Sequence, residues 1–231
     1  ALLLPFWGGA LVEGAGLGKV ASASAMVIAA LLAWWLIVEA TGRLAASPAT
    51  ILTALVGIWL ALALLVPALA RAAIDARYPA PDGGEILLLQ RESVNGAWDI
   101  PKEATMAPFL ARHPEWADHA AINRPFEWKW FFAFQQVGDQ QAEPLAMRYR
   151  GARLARDRAA GVAAFLSPSA VVERHFQRLA GTDAAAMIAY EDAVRGYHAQ
   201  LRAFWYPLLF RDEPYDAAVL ERLPAYAPPT R

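Results

Sequence analysis

No cysteine occurs among the 231 residues of the chain. Its absence excludes disulfide bonds, metal sites built on thiolates and a cysteine nucleophile. The chain also lacks an excess of charge, because 21 basic and 22 acidic side chains leave a formal net charge of −1. A nearly neutral chain has no general attraction to phosphate backbones, so we do not expect a nucleic acid as partner.

Sequence signatures of catalysis are missing as well. There is no phosphate loop of the form GxxxxGK[ST] and no HExxH pair, and Ser167 and Ser169 lack the GxSxG context of a serine hydrolase. The four histidines are scattered: His113, His119, His175 and His198. We therefore predict no catalytic, cofactor-binding or metal-binding residue, no cofactor and no enzyme activity.

Two long runs without charge are the most prominent feature of the chain. The segments Ala21–Val38 and Thr50–Leu69 contain no charged side chain. Their lengths are close to the roughly 20 apolar residues that cross a bilayer, so we predict two transmembrane helices. A pair of buried helices in a large soluble core is the alternative. Without ionisable residues, these helices are typical of a scaffold or wall rather than of an ion pathway.

The residues before these segments predict the end of another apolar helix. The chain begins with Ala1 and continues directly into leucines, without the basic segment that opens a secretory signal. We interpret Ala1–Val12 as the tail of a span that begins earlier. We therefore expect the chain to be a fragment.

A change of composition marks the end of the membrane part. Two prolines and two glycines within residues 78–84 stop the second apolar helix, and charged residues become frequent after them. We predict a transmembrane part over residues 1–78 and a mostly helical, water-facing domain over residues 79–231. The expected fold class is all-α, with a bundle-like helical domain after the transmembrane helices.

Helix start and stop signals divide the water-facing domain. The predicted helices are Glu85–Val94, Glu143–Phe165, residues 168–180 and residues 184–204. Ser167 and Pro168 are typical of an N-cap and of a first helical residue. Gly181 is expected to end that helix, and Thr182 or Asp183 to cap the last one.

Aromatic residues are concentrated between Phe126 and Phe134, where six of nine positions are aromatic. The favoured interpretation is a cluster that faces the core of the domain. A belt at the membrane interface, interrupted by Glu127 and Lys129, is the alternative.

The last predicted helix carries a heptad seam, in which apolar residues alternate at spacings of three and four. Its members are Met187, Tyr190, Val194, Tyr197, Leu201, Phe204 and Leu208. Such a stripe is expected to pack against a neighbouring helix, and the two preceding helices are the candidates. Because the seam lasts only three heptads, a core contact is favoured over a dimer zipper.

Several short stretches occur in the same order in a known family. Among them are Tyr78-Pro79-Ala80-Pro81, His113-Pro114-Glu115, Leu166-Ser167-Pro168-Ser169, Leu179-Ala180-Gly181-Thr182-Asp183 and Leu201-Arg202-Ala203-Phe204-Trp205-Tyr206-Pro207-Leu208, each short on its own. In this order they resemble bacterial ABC transporter permeases of the type-2 exporter class, which carry a domain of unknown function in their C-terminal half. The resemblance covers roughly residues 50–210, and Phe6–Ala10 is similar to the region before the later spans.

The resemblance implies a permease subunit of the bacterial cytoplasmic (inner) membrane that works with a separate ATPase and a second permease subunit. The helical domain is then expected on the extracytoplasmic side. The chain lacks the earlier spans and the final span of such permeases. The expected function is therefore that of a permease fragment of an ABC-type exporter, embedded in the lipid bilayer.

Two other functions are compatible with these features. The alternative is a membrane-anchored helical binding or assembly module without transport activity of its own, which the seam and the aromatic stretches suggest. A third hypothesis is a membrane-tethered enzyme. A pocket with convergent polar groups in the helical domain would favour that hypothesis.

Overall fold

The computed structural model describes residues 16–44, 47–214 and 216–228. Within these residues every regular element is helical and no strand occurs, so the all-α prediction is confirmed. The helices are α1 (Leu17–Leu44), α2 (Pro48–Arg77), α3 (Gly83–Gly96), α4 (Lys102–Leu110), α5 (Trp128–Ala163), α6 (Pro168–Ala180), α7 (Ala184–Phe210) and α8 (Ala217–Leu220). The helix tail predicted at Ala1–Val12 lies outside the described residues.

Helices α1 and α2 are long and apolar enough to cross a membrane. Only 6% of the most apolar window of α1 and none of that of α2 is buried within the protein, so neither is a core helix here. Ser47 caps α2, because its hydroxyl accepts a hydrogen bond from the Thr50 amide at 3.2 Å. Pro48 follows as the first helical residue, where its missing N–H removes no helical hydrogen bond.

A wider π-helical turn, Ala61–Leu65, interrupts α2. It immediately precedes Val66 and Pro67. In a regular helix the proline ring would clash with the carbonyl group four residues earlier. Proline also has no N–H group to donate a hydrogen bond to that carbonyl. A local π turn is one way in which a helix absorbs such a residue without breaking.

The chain folds into two compact units. The first contains Ala1–Pro79 and Arg153–Met187, and the second contains Ala80–Ala152 and Ile188–Arg231. This grouping follows contacts within the protein. The predicted boundary at residue 78 concerns contact with membrane and water, and it stays a prediction.

In the first unit, helix α6 packs against α1 and against the π turn of α2. The hydroxyl of Ser22 on α1 forms a hydrogen bond of 2.9 Å with His175 on α6. Arg174 on α6 pairs with Asp157 on α5 at 2.8 Å. The first unit therefore combines both apolar helices with a helical hairpin from the later part of the chain.

The core of the second unit is aromatic. Phe109, Phe134 and Phe210 are almost completely buried, and the rings of Phe109 and Phe210 stack at 5.3 Å. The indole of Trp130 donates a hydrogen bond of 2.6 Å to Thr105, so its polar atom is satisfied inside the core. Burying three large aromatic side chains supplies about 1.5–3 kcal/mol each, which makes this cluster the main source of stability for the unit.

Several predicted helix boundaries are confirmed. Ser167 is the N-cap of α6 with extended backbone, and Pro168 is its first residue. Gly181 ends α6 with φ 65°, a left-handed conformation that glycine adopts without strain. Asp183 caps α7, since its carboxylate accepts a hydrogen bond of 2.9 Å from the Ala186 amide.

One predicted helix start is wrong, and the predicted seam is more exposed than expected. The helix expected to begin at Glu143 is the second half of α5, which begins at Trp128 and continues through Pro144. The buried face of residues 128–142 holds this helix together across the proline. The heptad seam is only partly buried, because Met187 and Tyr190 are each 50% exposed and its other five members are half-buried. The fully buried residues of α7 are Ile188, Tyr206 and Phe210. Packing of the seam against a preceding helix stays a prediction.

Candidate functional site

The aromatic stretch at the start of α5 has two faces. Trp130 and Phe134 are buried in the core of the second unit, so the core interpretation is confirmed for that face. Phe126, Trp128 and Phe132 remain 41%, 53% and 41% exposed. The helical period places Trp128 and Phe132 on one side of α5 and Trp130 and Phe134 on the other, while Phe126 precedes the helix. The exposed face is available for contact with another molecule.

A groove in the second unit is continuous with this exposed face. Its volume is about 580 Å³, and we call it the aromatic groove. Its apolar lining residues are Trp128, Phe132, Leu201, Trp205 and Leu209, and its polar lining residues are Asp139, His198, Arg202 and Tyr206. Mostly apolar lining with a few polar groups is the usual character of sites that bind an organic ligand or a side chain.

A second cavity of about 440 Å³ shares Arg202 and Tyr206 with the aromatic groove. A chain of hydrogen bonds lines it. The Tyr206 hydroxyl donates to the side-chain carbonyl of Gln136, and the Gln136 amide lies 2.7 Å from Nε2 of His113. On the other side of the ring, Nδ1 of His113 lies 3.0 Å from the Glu115 carboxylate.

Electrostatic effects of this polar chain act on its two ends, Glu115 and Tyr206. The Nδ1 atom of His113 forms the hydrogen bond with the Glu115 carboxylate. That hydrogen bond contributes to a lowered pKa of Glu115, after the larger effect of a backbone hydrogen bond. Burial raises the pKa of Tyr206 to about 12, so its hydroxyl remains a donor at neutral pH. Both ring nitrogens of the histidine are thus engaged.

An ion pair lies beside this chain. The Asp139 carboxylate accepts hydrogen bonds from Gln90 on α3 and, at 2.6 Å, from Arg202 on α7. It therefore ties three helices together at the edge of the aromatic groove. The contacts of this carboxylate with both neighbouring helices help to hold the groove in shape.

A family model described as a domain of unknown function (DUF3526) matches residues 84–228. The chain belongs to the DUF3526 family. Searches of curated proteins and of solved structures each found no match. The aromatic groove, the second cavity and the polar chain all lie within the matched residues, so they are features of the DUF3526 region of this chain.

Sequence reasoning named no site residue, and it missed the polar chain of the DUF3526 region. His113, Gln136 and Tyr206 are separated by 23 and 70 residues along the chain. A glutamine and a tyrosine at such distances form no motif, and only the His113-Pro114-Glu115 stretch gave a local signal. In the part of the chain that the structure describes, no group of three or more His, Asp or Glu side chains could hold a metal ion.

The DUF3526 region does contain a pocket with convergent polar groups, the observation that would favour a membrane-tethered enzyme. The groups are nevertheless arranged to satisfy one another. Both ring nitrogens of His113 have hydrogen-bond partners, and Tyr206 is held neutral by burial. General acid–base chemistry requires a group within hydrogen-bond reach of substrate and free to exchange its proton. The expectation that the chain is not an enzyme stays a prediction.

Proposed function

We propose that this DUF3526 protein is the membrane-spanning permease subunit of an ABC-type exporter and works with a separate ATPase. The observation that carries the proposal is the pair of apolar helices joined to a DUF3526 region. Their large apolar side chains are exposed, as in Leu31, Trp35 and Leu52 at 62%, 58% and 65%. Such surface is stable only against lipid or other apolar helices.

The position of charge supports crossing of the bilayer by both helices. In α1 the residues between Lys19 and Glu39 are uncharged, and in α2 no charge precedes Arg71. A helix rises about 1.5 Å per residue, so each uncharged run is about 30 Å long, which matches the hydrocarbon core. The two helices are joined at residues 45–47, so they form a hairpin with both open ends on one side of the membrane.

The partners in this proposal come from the resemblance to type-2 ABC exporter permeases. No phosphate loop occurs in these 231 residues. In the proposed complex a separate ATPase binds the nucleotide, and a second permease subunit completes the membrane part. By the same resemblance, the membrane is the bacterial cytoplasmic membrane and the helical domain lies on its extracytoplasmic side.

Co-purification from native membranes tests this function. The full-length protein that contains this chain, carrying an affinity tag, is expected to bring down an ATPase in equal amounts from mild detergent. Reconstituted together in vesicles, the two should show ATP hydrolysis above that of the ATPase alone. Recovery of the tagged protein without any ATPase, from membranes in which both are produced, would contradict the proposal.

A second candidate function is a membrane-anchored binding or assembly module, and the aromatic groove favours it. The groove offers apolar and aromatic surface of the kind that dominates protein interfaces. A photo-crosslinking amino acid at Phe132 should then trap one partner protein, whereas the same amino acid at the exposed Glu103 should not. Crosslinks from both positions, or from neither, would count against a binding role of the groove.

A further inference from the structure

The hairpin formed by the end of α5 and the start of α6 has an uncharged tip. From Ala159 to Val172 there are 14 consecutive residues without a charged side chain, bordered by Arg158 and Glu173. An uncharged run of this length is too short to cross a bilayer. It is typical of a buried core segment or of a segment that enters the membrane from one side.

The large apolar side chains of the tip are exposed, so the tip is not a buried core segment. Val162, Phe165 and Leu166 are 74%, 80% and 63% exposed. Their spacings of three and four residues place them on one side of the chain where α5 ends. Three large apolar side chains together on a surface mark a site of contact with lipid or with another protein.

The tip belongs to the same compact unit as the apolar helices, and contacts fix its level relative to α2. Arg156 on α5 pairs with Asp75 on α2 at 3.1 Å and donates a hydrogen bond of 2.7 Å to the Tyr78 carbonyl. Further along both helices, Ala163 and Val66 line one cavity of about 390 Å³. Since residue numbers rise along α5 while they fall along α2, the two helices run antiparallel.

This register places the tip beside the uncharged part of α2. Phe165 follows Arg156 by nine residues, and Val66 precedes Asp75 by nine, which corresponds to about 14 Å along each helix. Phe165 therefore lies at the level of Val66. Arg71, the first charged residue after the uncharged run of α2, lies about 7 Å nearer to the water. Segments at a membrane interface bury their apolar face by about 5–10 Å, which agrees with this depth.

The backbone of the hairpin is suited to an apolar environment. The Ser167 amide donates a hydrogen bond of 3.0 Å to the Ala164 carbonyl, and the Ser167 carbonyl accepts one of 3.2 Å from Val171. Pro168 has no N–H that would need a partner. The Ser167 side chain is itself buried, at 2% exposure, so the turn presents little polar surface. Backbone groups left without partners would otherwise be costly in hydrocarbon.

We propose that the α5–α6 tip inserts into the acyl chains of the bilayer beside α2, as a shallow membrane-entering hairpin. The inference rests on the proposed crossing of the membrane by α2. Lipid is the occupant that the register favours, because the exposed side chains of Leu64 and Leu65 lie at the same depth as the tip. A second protein helix covering the tip is the competing outcome of the test.

A fluorescent reporter on single cysteines tests the proposal, since the chain has none of its own. The variants Phe165→Cys, Leu64→Cys and Arg178→Cys are each labelled with a polarity-sensitive dye in the full chain and reconstituted in phosphatidylcholine vesicles. Leu64 on α2 reports lipid, and exposed Arg178 near the end of α6 reports water. Lipids with a nitroxide near the top or near the end of the acyl chain, and aqueous iodide, serve as quenchers.

Insertion predicts blue-shifted emission from the dye at position 165, strong quenching by the shallow nitroxide, weaker quenching by the deep one and protection from iodide. Quenching of position 165 by iodide alone, as at position 178, would overturn the proposal. Protection from both iodide and nitroxides would overturn it too, because another protein segment would then cover the tip. If position 64 is also unquenched by lipid, the crossing of the membrane by α2 fails together with the tip.

Discussion

Gly138 on α5 lies close against α3, and its replacement by alanine gives a prediction with a definite sign. A Cβ atom at this position would lie 2.8 Å from a methyl group of Val94 and 3.4 Å from the Gln90 carbonyl oxygen. Carbon atoms in contact prefer a separation of about 3.5–4.0 Å, so the Val94 methyl must move by about 1 Å. Valine is stiff at χ1, and the helix backbone beside it must shift as well.

The expected change in unfolding free energy is the difference between two opposing effects. Overpacking of this kind costs about 1–3 kcal/mol of unfolding free energy. Replacing glycine by alanine within a helix stabilises it by about 1 kcal/mol. The Gly138→Ala variant is therefore expected to be less stable than the parent by up to about 2 kcal/mol.

The same helix offers a matched control. Gly151 is also in α5, and a Cβ added there would meet no atom within 4 Å. Gly151→Ala is expected to raise stability by about 0.5–1 kcal/mol, because only the helix preference changes. Thermal unfolding of the chain in detergent, followed by near-ultraviolet circular dichroism, should show midpoints that move in opposite directions. Equal upward shifts for both variants would refute the close approach of α3 and α5.

Three further predictions concern polar contacts. In Glu127, burial opposes ionisation, but hydrogen bonds from two backbone amides and from Lys129 outweigh it and lower the pKa below the ordinary value of 4.5. The stability that this carboxylate contributes is therefore complete above about pH 4.5 and is lost as the pH falls through the lower pKa of the folded state. Glu127→Gln is expected to cost about 1–3 kcal/mol of unfolding free energy at pH 7, and this cost should shrink in acid. Tyr206→Phe leaves the buried carbonyl of Gln136 without its donor and should cost about 1–2 kcal/mol in denaturant unfolding. Arg156→Ala removes an ion pair and a hydrogen bond of the first unit and should lower the thermal midpoint of the chain by a few degrees.

Each of these predictions has a control. Glu103→Gln changes an exposed carboxylate, and its effect should be near zero at neutral pH. Tyr190→Phe removes the hydroxyl of a half-exposed tyrosine on the same helix as Tyr206 and should cost little. Arg158→Ala changes an exposed neighbour of Arg156 and should leave the midpoint unchanged. A loss at each control equal to that at its partner would show that the contacts named above do not cause the effect.

Local signals in the sequence predicted the features that depend on local chemistry. The uncharged runs predicted the two apolar helices, because length and the absence of charge decide that outcome. Ser167, Pro168 and Gly181 marked helix ends correctly, since capping and left-handed backbone depend on one or two residues. These features need no knowledge of the rest of the fold.

Features that depend on distant residues could not be predicted in the same way. The buried stripe of α7 could not be chosen from the sequence, because Ile188 and Phe210 lie on another side of the helix than the seam. The stacking of Phe210 on Phe109 joins residues that are far apart along the chain. The polar chain of His113 and Gln136 joins residues that have no shared motif. The proposed depth of the hairpin tip in the bilayer likewise follows only from the contact between α5 and α2.

The most direct test of the account is to determine on which side of the membrane the closed end of the α1–α2 hairpin and the helical domain lie. Leu44→Cys places a thiol at the closed end of the hairpin, at a position 88% exposed, and Glu103→Cys places one in the helical domain. A membrane-impermeant maleimide applied to cells with a permeable outer membrane should label position 103, and position 44 only after the inner membrane is broken. Labelling of both positions in intact cells would contradict the membrane crossing, and labelling of position 44 alone would contradict the extracytoplasmic placement of the domain.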